Sequence, residues 1–206
     1  MCFGTDGGYF ALGGINHTFH LEDKIKYIDV IPNEFYKINL VSFMIEKDEF
    51  SVKEQYFTII DSGTTVTYLP KQLFQQVIDR LKQDCNKNDK DKCLGYMHYE
   101  SGDLCIDQRF DITLDKFYNS FPTIKVKFNS EVEVQWKPEN YLVFLKERTY
   151  CIGINDWGYN KVKNRRNEIL LGTTFMHNKD IIFDLEHKKI GIISADCSAN
   201  CNLLVN

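Results

Sequence analysis

Short apolar segments recur along the chain and are separated by turn residues, a pattern typical of β-strands. Residues 9–13 are apolar and close with a Gly-Gly pair, and residues 36–45 alternate in places between apolar and polar side chains. Residues 55–60 form a further strand pattern that leads directly into Asp61. The pattern therefore predicts a protein built mainly from strands.

Two hairpins are predicted in the second half of the chain. Residues 125–128 and 132–136 alternate with period two on either side of an Asn-Ser pair, which is a turn signal. Residues 181–183 and 190–193 form a second apolar pair, with the turn placed at residues 186–188. Both hairpins strengthen the prediction of an all-β class.

One segment has helical periodicity. Pro70 stands where the first residue of a helix tolerates proline, and apolar side chains then recur on one face at Leu73, Phe74, Val77, Ile78 and Leu81. Residues 82–92 are polar, and we expect a surface excursion held by Cys85 and Cys93. The predicted fold class is all-β with minor helix, in one domain over residues 1–206 with a cysteine-bearing insert around 82–105.

Length and charge exclude some classes of function. The chain has 206 residues, 43% of them hydrophobic, which is enough for one large packed core or two small ones. A formal net charge of −4 gives no reason to expect nucleic acid or an anionic membrane as a partner. One basic cluster is interpreted as a solvated loop rather than a phosphate site: Lys161, Lys163, Arg165 and Arg166.

Neither a membrane span nor a signal peptide is expected within this chain. No apolar run approaches the roughly 18 residues that cross a bilayer. The first residues lack a basic segment followed by an apolar stretch. A membrane anchor beyond Asn206 in a longer parent stays open.

The seven cysteines favour disulfides over a metal site. They stand at positions 2, 85, 93, 105, 151, 197 and 201, without the paired Cys-x-x-Cys spacing of zinc domains. A metal site built from Cys85, Cys93, His98 and Cys105 is the alternative. Disulfides imply an oxidising compartment, and the Asn16-His17-Thr18 glycosylation triplet is consistent with it. The odd count leaves one thiol free or paired outside this chain.

The stretch 58–66 carries the most chemical information. An apolar strand ends in the Asp61 carboxylate, which Ser62, Gly63 and two threonines follow. The plain alternative is a structural turn, in which Asp61 caps the turn and Gly63 supplies positive φ. Apolar residues on both sides place the carboxylate in a dry setting, where burial is costly without hydrogen bonds or a functional role. The pattern indicates a carboxylate held rigidly for acid–base chemistry.

Asp61-Ser62-Gly63-Thr64-Thr65, followed by Tyr68-Leu69-Pro70 and a helix, resembles the second active-site loop of the pepsin family of aspartic proteases. Further segments resemble the carboxyl-terminal lobe of that family in the same order: residues 7–14, 121–124 with 138–142, 169–175 and 182–192. They look like the opening strand, the stretch after the helix, the strand beneath the catalytic loop and the final hairpin. The resemblance implies a pepsin-like acid protease fold, with this chain as the carboxyl-terminal lobe.

The cysteines resemble those of the nepenthesin, beta-secretase and plasmepsin V side of the family. That resemblance implies the pairs Cys2 with Cys197, Cys105 with Cys151, and Cys85 with Cys93, and leaves Cys201 over. It also implies a protein of the secretory pathway, in the endoplasmic reticulum lumen or downstream of it.

The resemblance implies an aspartic endopeptidase that acts on a polypeptide substrate without a cofactor or a metal. Two aspartates would share a proton across a bound water, which attacks the peptide carbonyl. Asp61 would be one of them. Gly63 would shape the loop, Thr64 would hydrogen-bond into the opposite lobe, and Thr65 would buttress the carboxylate or meet substrate.

The second aspartate should lie in an Asp-Thr/Ser-Gly loop, and this sequence contains none. Asp6-Gly7-Gly8 lacks the middle residue, and Asp156-Trp157-Gly158 carries a bulky ring there. The resemblance therefore implies a missing amino-terminal lobe, and we expect the isolated chain to be inactive. Coding sequence upstream of Met1 should contain the second loop.

Two other classes of protein compete with this hypothesis. The first is a catalytically inactive pepsin-like lobe that binds peptides or proteins, against which the complete Asp61 loop argues. The second is a homodimer that uses Asp61 twice, as retroviral proteases do, although those protomers are much shorter.

Two histidines and two tryptophans are further candidates for a functional site. His17 and His20 could hold a metal, but we expect surface histidines. Trp136 and Trp157 could line a substrate groove, but packing is the default for tryptophan at strand positions.

Overall fold

The computed structural model describes residues 1–32, 36–54, 56–86, 92–129, 132–157 and 167–198. Its strands are β1 (Cys2–Gly4), β2 (Gly7–Tyr9), β3 (Lys26–Asp29), β4 (Lys37–Ile38), β5 (Ser42–Ile45), β6 (Asp48–Ser51), β7 (Phe57–Ile60), β8 (Thr67–Leu69), β9 (Gly95–Glu100), β10 (Asp103–Gln108), β11 (Ile124–Lys127), β12 (Glu133–Trp136), β13 (Leu142–Lys146), β14 (Thr149–Ile152), β15 (Ile154–Asp156), β16 (Glu168–Leu171), β17 (Lys179–Asp184) and β18 (Lys189–Ser194). Its helices are α1 (Lys71–Asn86), α2 (Leu114–Asn119), α3 (Pro138–Tyr141) and α4 (Thr173–Met176), with a 3₁₀ turn at His17–Phe19. The predicted all-β class with minor helix is confirmed.

The described strands form four sheets, with the orders β2-β1-β17-β18-β3, β13-β14-β10-β9, β12-β11-β5-β6 and β15-β8-β16-β7-β4. The last of these carries the candidate site. In it β7 and β16, which are far apart in sequence, run parallel with Ile60 opposite Leu171. Parallel neighbours need a long crossover, and here the intervening chain builds the whole β13-β14-β10-β9 sheet and adds β11 and β12 to another.

One contiguous apolar core joins the sheets to the helices. Its largest fully buried side chains include Trp136, Tyr141, Phe43, Phe117 and Phe175. Helix α1 contributes the face that the sequence predicts, because Leu73, Val77, Ile78 and Leu81 are all buried in the core. The periodicity of the apolar residues therefore identified both the helix and the side that packs.

Both predicted hairpins are present. Strands β11 and β12 pair antiparallel with Ile124 opposite Trp136, and the Oδ1 of Asn129 accepts a hydrogen bond from the N–H of Val132. Strands β17 and β18 pair antiparallel with Phe183 opposite Ile190. Ser130, which the prediction placed in the first turn, lies outside the described residues.

Two predicted strands differ from the structure. Residues 9–13 are not one strand, because β2 ends at Tyr9 and the exposed Phe10 and Leu12 follow it without strand pairing. Residues 36–45 are two strands, β4 and β5, in different sheets. An apolar run predicts burial or an interface, and pairing partners decide whether it becomes a strand.

Part of the predicted surface excursion is helix. Helix α1 continues through residues 82–86 because Asp84 turns inward, where its carboxylate lies 2.9 Å from Arg80. Arg80 also binds Glu46 and Asp48 at 2.6 and 2.5 Å, so charged residues are buried on this side of the helix. Polarity along the sequence suggested a loop, whereas the ion pairs allow a buried helical turn.

The structure contains three disulfides, and they are the pairs that the resemblance implies. Cys2–Cys197 joins the two ends of the described chain, with a Cα–Cα distance of 5.4 Å. Cys105–Cys151 links β10 to β14 across one sheet. Cys85–Cys93 ties the end of α1 to the chain that leads into β9.

Some predictions fall on residues outside the described ranges. These are the basic cluster at Lys161, Lys163, Arg165 and Arg166, and the seventh cysteine, Cys201. Among the helices that are described, none is long and apolar enough to cross a bilayer.

Candidate active site

Asp61 stands at the end of β7, where the chain leaves the sheet. Its N–H donates to the carbonyl oxygen of Leu171 at 3.0 Å, which continues the β7–β16 pairing by one residue. Ile60 beneath it is buried, Asp61 is half-buried, and Ser62 and Gly63 are exposed. A rigid sheet therefore presents one half-buried carboxylate at its edge, in a setting less dry than the flanking apolar residues predict.

Two hydrogen bonds fix the Asp61 carboxylate. The N–H of Gly63 donates to Oδ1 at 2.9 Å, and the hydroxyl of Thr64 donates to Oδ2 at 2.7 Å. A Cβ at Gly63 would lie only 3.2 Å from Oδ1, so the glycine permits the close approach of its own amide. Each carboxylate oxygen still has a lone pair for another group.

The hydroxyl of Thr64 donates to Asp61 within the same loop. Its oxygen can still accept a hydrogen bond, so the bond into an opposite lobe that the resemblance implies stays a prediction. Thr65 supports the loop through its backbone, because its carbonyl oxygen accepts hydrogen bonds from the N–H of Thr174 and the hydroxyl of Thr173 at 3.0 and 2.9 Å. Ser62, directly after the carboxylate, and Thr65 are the loop residues with side chains that are exposed.

The segment after β16 passes beneath the loop, as the resemblance implies. The N–H of Thr173 donates to the carbonyl oxygen of Thr64 at 2.7 Å. A Cβ at Gly172 would lie 2.3 Å from the carbonyl oxygen of Val66, which no side chain can tolerate. Gly172 is therefore required for the two segments to touch. The sequence carried a signal for this glycine, but none for the hydrogen bonds of Thr173 and Thr174.

A cavity of about 800 Å³ opens beside Asp61 and Ser62. Its walls include apolar side chains from three parts of the chain, among them Phe10, Leu12, Tyr36, Phe183 and Leu185. Several are unusually exposed for their type, with 64% of Phe10 and 85% of Leu12 accessible. A contiguous apolar surface of this kind marks a binding site or a protein interface.

Three further carboxylates line the same cavity, those of Asp180, Asp184 and Glu186, and the first two are bound to histidines. Asp180 lies 3.0 Å from Nε2 of His20, and Asp184 lies 2.9 Å from Nδ1 of His187. The side chain of His20 is only 5% exposed, so the expectation of a surface histidine is wrong for His20 and right for His17. The side chains of both residues are buried, and the amino-terminal nitrogen of Met1 also contacts Asp180 at 2.9 Å, which spacing along the sequence did not show.

The alternative metal site is contradicted by the disulfides. Cys85 is bonded to Cys93, and Cys105 is bonded to Cys151, so these sulfurs cannot serve as thiolate ligands. The remaining candidate, His98, lies 3.7 Å from Glu100 and from Asp107. No group of three or more metal-binding side chains forms within the ranges that the structure describes.

Both tryptophans pack rather than line a groove. Trp136 is fully buried, and its indole N–H donates to the carbonyl oxygen of Thr174 at 2.8 Å. Trp157 stacks on Tyr68 at 4.7 Å, and its indole N–H donates to the carbonyl oxygen of Glu168. These contacts brace the sheet that carries Asp61.

Comparison with known proteins agrees with the architecture. A family model described as the xylanase inhibitor C-terminal family matches residues 35–194. Aspartic proteinase 36 of Arabidopsis thaliana is 28% identical over 202 residues, which cover 94% of this chain and 38% of the relative. Plasmepsin V of Plasmodium falciparum (isolate 3D7) is 25% identical over 191 residues, which cover 81% of this chain and 31% of the relative. Aspartic protease 5 of Toxoplasma gondii is 32% identical over 98 residues, which cover 47% of this chain and 9% of the relative.

These matches show which family the chain belongs to and how much of its relatives' length it spans. It spans less than two fifths of the length of Aspartic proteinase 36. The family model covers well over half of the 206 residues and includes the Asp61 loop, the strand beneath it and the final hairpin. Its similarity to aspartic proteinases agrees with a pepsin-like carboxyl-terminal lobe, and the family model shows that the chain belongs to the xylanase inhibitor C-terminal family.

Proposed function

We propose that the chain supplies one of the two catalytic aspartates of an aspartic endopeptidase, and that this residue is Asp61. The observation that carries the proposal is the Asp61 carboxylate at a strand end, held by the Gly63 N–H and the Thr64 hydroxyl and open to a cavity. A carboxylate fixed by donors of its own loop needs little rearrangement when it binds a water, and such preorganisation is the main source of catalysis by polar groups.

The reaction requires a second carboxylate close to Asp61. Two such groups cannot both ionise easily, so one keeps a proton. The ionised member accepts a proton from the water, whose oxygen attacks the peptide carbonyl, and the protonated member donates to the carbonyl oxygen. The aspartate that took the proton from the water then gives it to the nitrogen, the other aspartate takes a proton back from a hydroxyl of the tetrahedral species, and cleavage of the C–N bond releases the amine and the new carboxyl group. Asp61 takes one of these two roles.

The second aspartate comes from an amino-terminal lobe. Supporting this, two of the other carboxylates around the cavity, those of Asp180 and Asp184, are bound to His20 and His187, and the third, that of Glu186, is exposed on the final hairpin. The exposed apolar side chains beside Asp61, such as Phe10 and Leu12, provide a surface on which a lobe can dock. The outward-facing Ser62 is placed to meet a residue of that lobe. Polypeptide chains that bind between the lobes are the substrate.

Residues 1–206 act as a single carboxyl-terminal lobe with the cysteine-bearing segment as an insert. The three disulfides support a location in the secretory pathway, since such bonds persist in oxidising compartments.

A second candidate is a non-catalytic binding lobe, which the name of the matched family favours because it describes an inhibitor. Under this hypothesis the apolar cavity binds a protein and Asp61 is a remnant. The two donors that converge on Asp61 argue against it, because a binding surface gains nothing from two hydrogen bonds on an unused carboxylate.

Peptide hydrolysis at acidic to mildly acidic pH separates the hypotheses, with the chain assayed alone and joined to the amino-terminal lobe of its parent. The proposal predicts cleavage by the two-lobe protein only. Cleavage by the lone chain, rising with the square of its concentration at low concentration, would instead indicate a homodimer. Tight peptide binding without cleavage in either form would favour the binding lobe.

A further inference from the structure

Two buried threonine hydroxyls lie beneath the catalytic loop and contact each other. Thr67 is 0% exposed and Thr174 is 6% exposed, and their Oγ1 atoms are 3.4 Å apart. The hydroxyl of Thr67 accepts a hydrogen bond from the N–H of Gly172 at 3.3 Å. The hydroxyl of Thr174 donates to the carbonyl oxygen of Gly153 at 3.2 Å. A threonine pair in an apolar setting is costly unless such a chain satisfies it.

The direction of this chain follows from one proton per hydroxyl. Thr174 uses its proton on the carbonyl of Gly153, so the proton between the two hydroxyls must come from Thr67. The relay therefore runs from the Gly172 N–H through Thr67 and Thr174 to the Gly153 carbonyl. Every member has a partner, which is the condition under which buried polar networks specify one arrangement.

Thr174 connects this relay to the Asp61 loop. Its N–H donates to the carbonyl oxygen of Thr65 at 3.0 Å, and its own carbonyl accepts the indole N–H of Trp136 at 2.8 Å. Gly153 allows the close packing, because a Cβ there would lie 2.7 Å from Cγ2 of Thr174. The residue is thus fixed on one side to the loop and on the other to the core.

We propose that Thr67 and Thr174 are positioning residues that set where the Asp61 carboxylate stands relative to its partner aspartate. The kinetic part of this inference rests on the proposed function. Neither hydroxyl touches Asp61 or substrate, so each acts only through the backbone of residues 64, 65 and 172–174. Small displacements of a reacting group lower the rate steeply, because reaction needs a narrow range of distance and orientation.

The kinetic test uses the two-lobe protein with Thr174→Val, which keeps the shape and removes the hydroxyl. We expect kcat to fall about tenfold with KM changed by less than about twofold, and the limbs of the kcat–pH profile to shift. Thr174→Ser keeps the hydroxyl, so kcat and the kcat–pH profile should stay close to those of the wild type. The double variant with Thr67→Val and Thr174→Val should lower kcat no more than the more damaging single change does, since both changes break the same relay.

Thr149→Val is the matched control. Thr149 is 7% exposed, and its hydroxyl donates to Asp107 at 2.6 Å on a different sheet. Losing that bond should lower the melting temperature to a similar degree but leave the pH profile unchanged. A role in stability alone would make the Thr149 and Thr174 variants behave alike.

Hydrogen exchange on the chain itself gives a readout that needs no activity. In Thr174→Val the amides of Thr173 and Thr174 should exchange faster, whereas in Thr149→Val they should match the wild type. Unchanged exchange in Thr174→Val overturns the inference whatever the activity, and so does a wild-type kcat and pH profile in an active enzyme. An inactive wild type would instead defeat the proposed function, and exchange would still decide whether the hydroxyls hold the loop.

Discussion

The hydroxyl of Thr64 lies 2.7 Å from Oδ2 of Asp61 and donates to it, three residues along the same loop. The carboxylate is therefore organised by its own turn before any other lobe approaches. The N–H of Gly63 completes the arrangement on Oδ1. One strand end and three following residues thus supply both hydrogen bonds that orient this carboxylate.

Removing the Thr64 hydroxyl should slow catalysis. A hydrogen bond to a charged group contributes roughly 1.5–3 kcal/mol, so we expect Thr64→Val to lower kcat of the two-lobe protein by about 10- to 100-fold. Thr64→Ser keeps the donor and should retain most of the rate. Steady-state peptide hydrolysis measures both. Equal rates for Thr64→Val and the wild type would show that the hydrogen bond has no catalytic role.

A methyl group at Gly172 should destabilise the lobe. The added Cβ would stand 2.3 Å from the carbonyl oxygen of Val66 and 2.5 Å from that of Thr64, both of them backbone atoms. Relief requires the loop to move, and overpacking of this kind costs about 1–3 kcal/mol. Gly14→Ala is the control, because nothing lies within 4 Å of a Cβ there. Urea unfolding in which both variants lose equal stability would contradict the predicted contact.

Removing the buried hydroxyl of Thr58 should stabilise the fold. Its side chain is 0% exposed on β7, and its Oγ1 has no hydrogen-bond partner among the residues that the structure describes. Thr58→Val removes the cost of burying that group, so the free energy of unfolding should rise by about 1 kcal/mol. Thermal unfolding checks this. A loss of stability would mean that the hydroxyl has a partner in the folded protein.

Helices and hairpins were predictable from the sequence because their signals are local. The one-face repeat from Leu73 to Leu81 and the alternation on either side of Asn129 depend only on neighbouring residues. The end of α1 was not predictable in this way. Asp84 continues the helix because Arg80 binds it while also binding Glu46 and Asp48 from another part of the chain.

The candidate site also combines features that local sequence predicts with features that depend on contacts between distant segments. Asp61 and its glycine stand out in sequence as a carboxylate and a turn residue after an apolar strand. The acceptor of the Thr64 hydroxyl depends on a loop geometry that residue types do not specify. The roles of Thr67 and Thr174 depend on contact between segments more than 100 residues apart, which a single sequence does not show.

Lys179 should make stability depend on pH. It is 3% exposed on β17, and burial lowers its pKa from 10.5 to about 7. Glu139 of α3 acts to raise that pKa and Lys137 acts to lower it, while the Nζ contacts the carbonyl oxygen of His177. Burial also lowers the pKa of His177, so both bases favour their neutral forms in the folded state.

The direction of this pH dependence follows from the number of protons that the folded and unfolded states bind. Between the folded and unfolded pKa values of Lys179, about 7 and 10.5, the unfolded chain binds more protons, so stability should rise with pH across this window. Lys179→Met removes the cost of burying the amine. The stability advantage of this variant over the wild type should therefore shrink as pH rises, by at most about 1.4 kcal/mol per pH unit. Urea unfolding between about pH 6 and 9 measures this, with the exposed Lys189→Met as control. An advantage that does not vary with pH would contradict the buried-lysine explanation.

Catalysis by Asp61 is tested most directly by kcat of the two-lobe protein carrying Asp61→Asn. Asparagine keeps the shape and can still accept from the Gly63 N–H, so folding and the melting temperature should be retained. Asp103→Asn, at the exposed first residue of β10, controls for loss of one negative charge. We predict that Asp61→Asn lowers peptide cleavage at least about 1,000-fold, in the range seen when catalytic groups are removed, and that Asp103→Asn cleaves like the wild type. Cleavage by a folded Asp61→Asn protein at the wild-type rate would contradict the assignment of Asp61 as a catalytic aspartate.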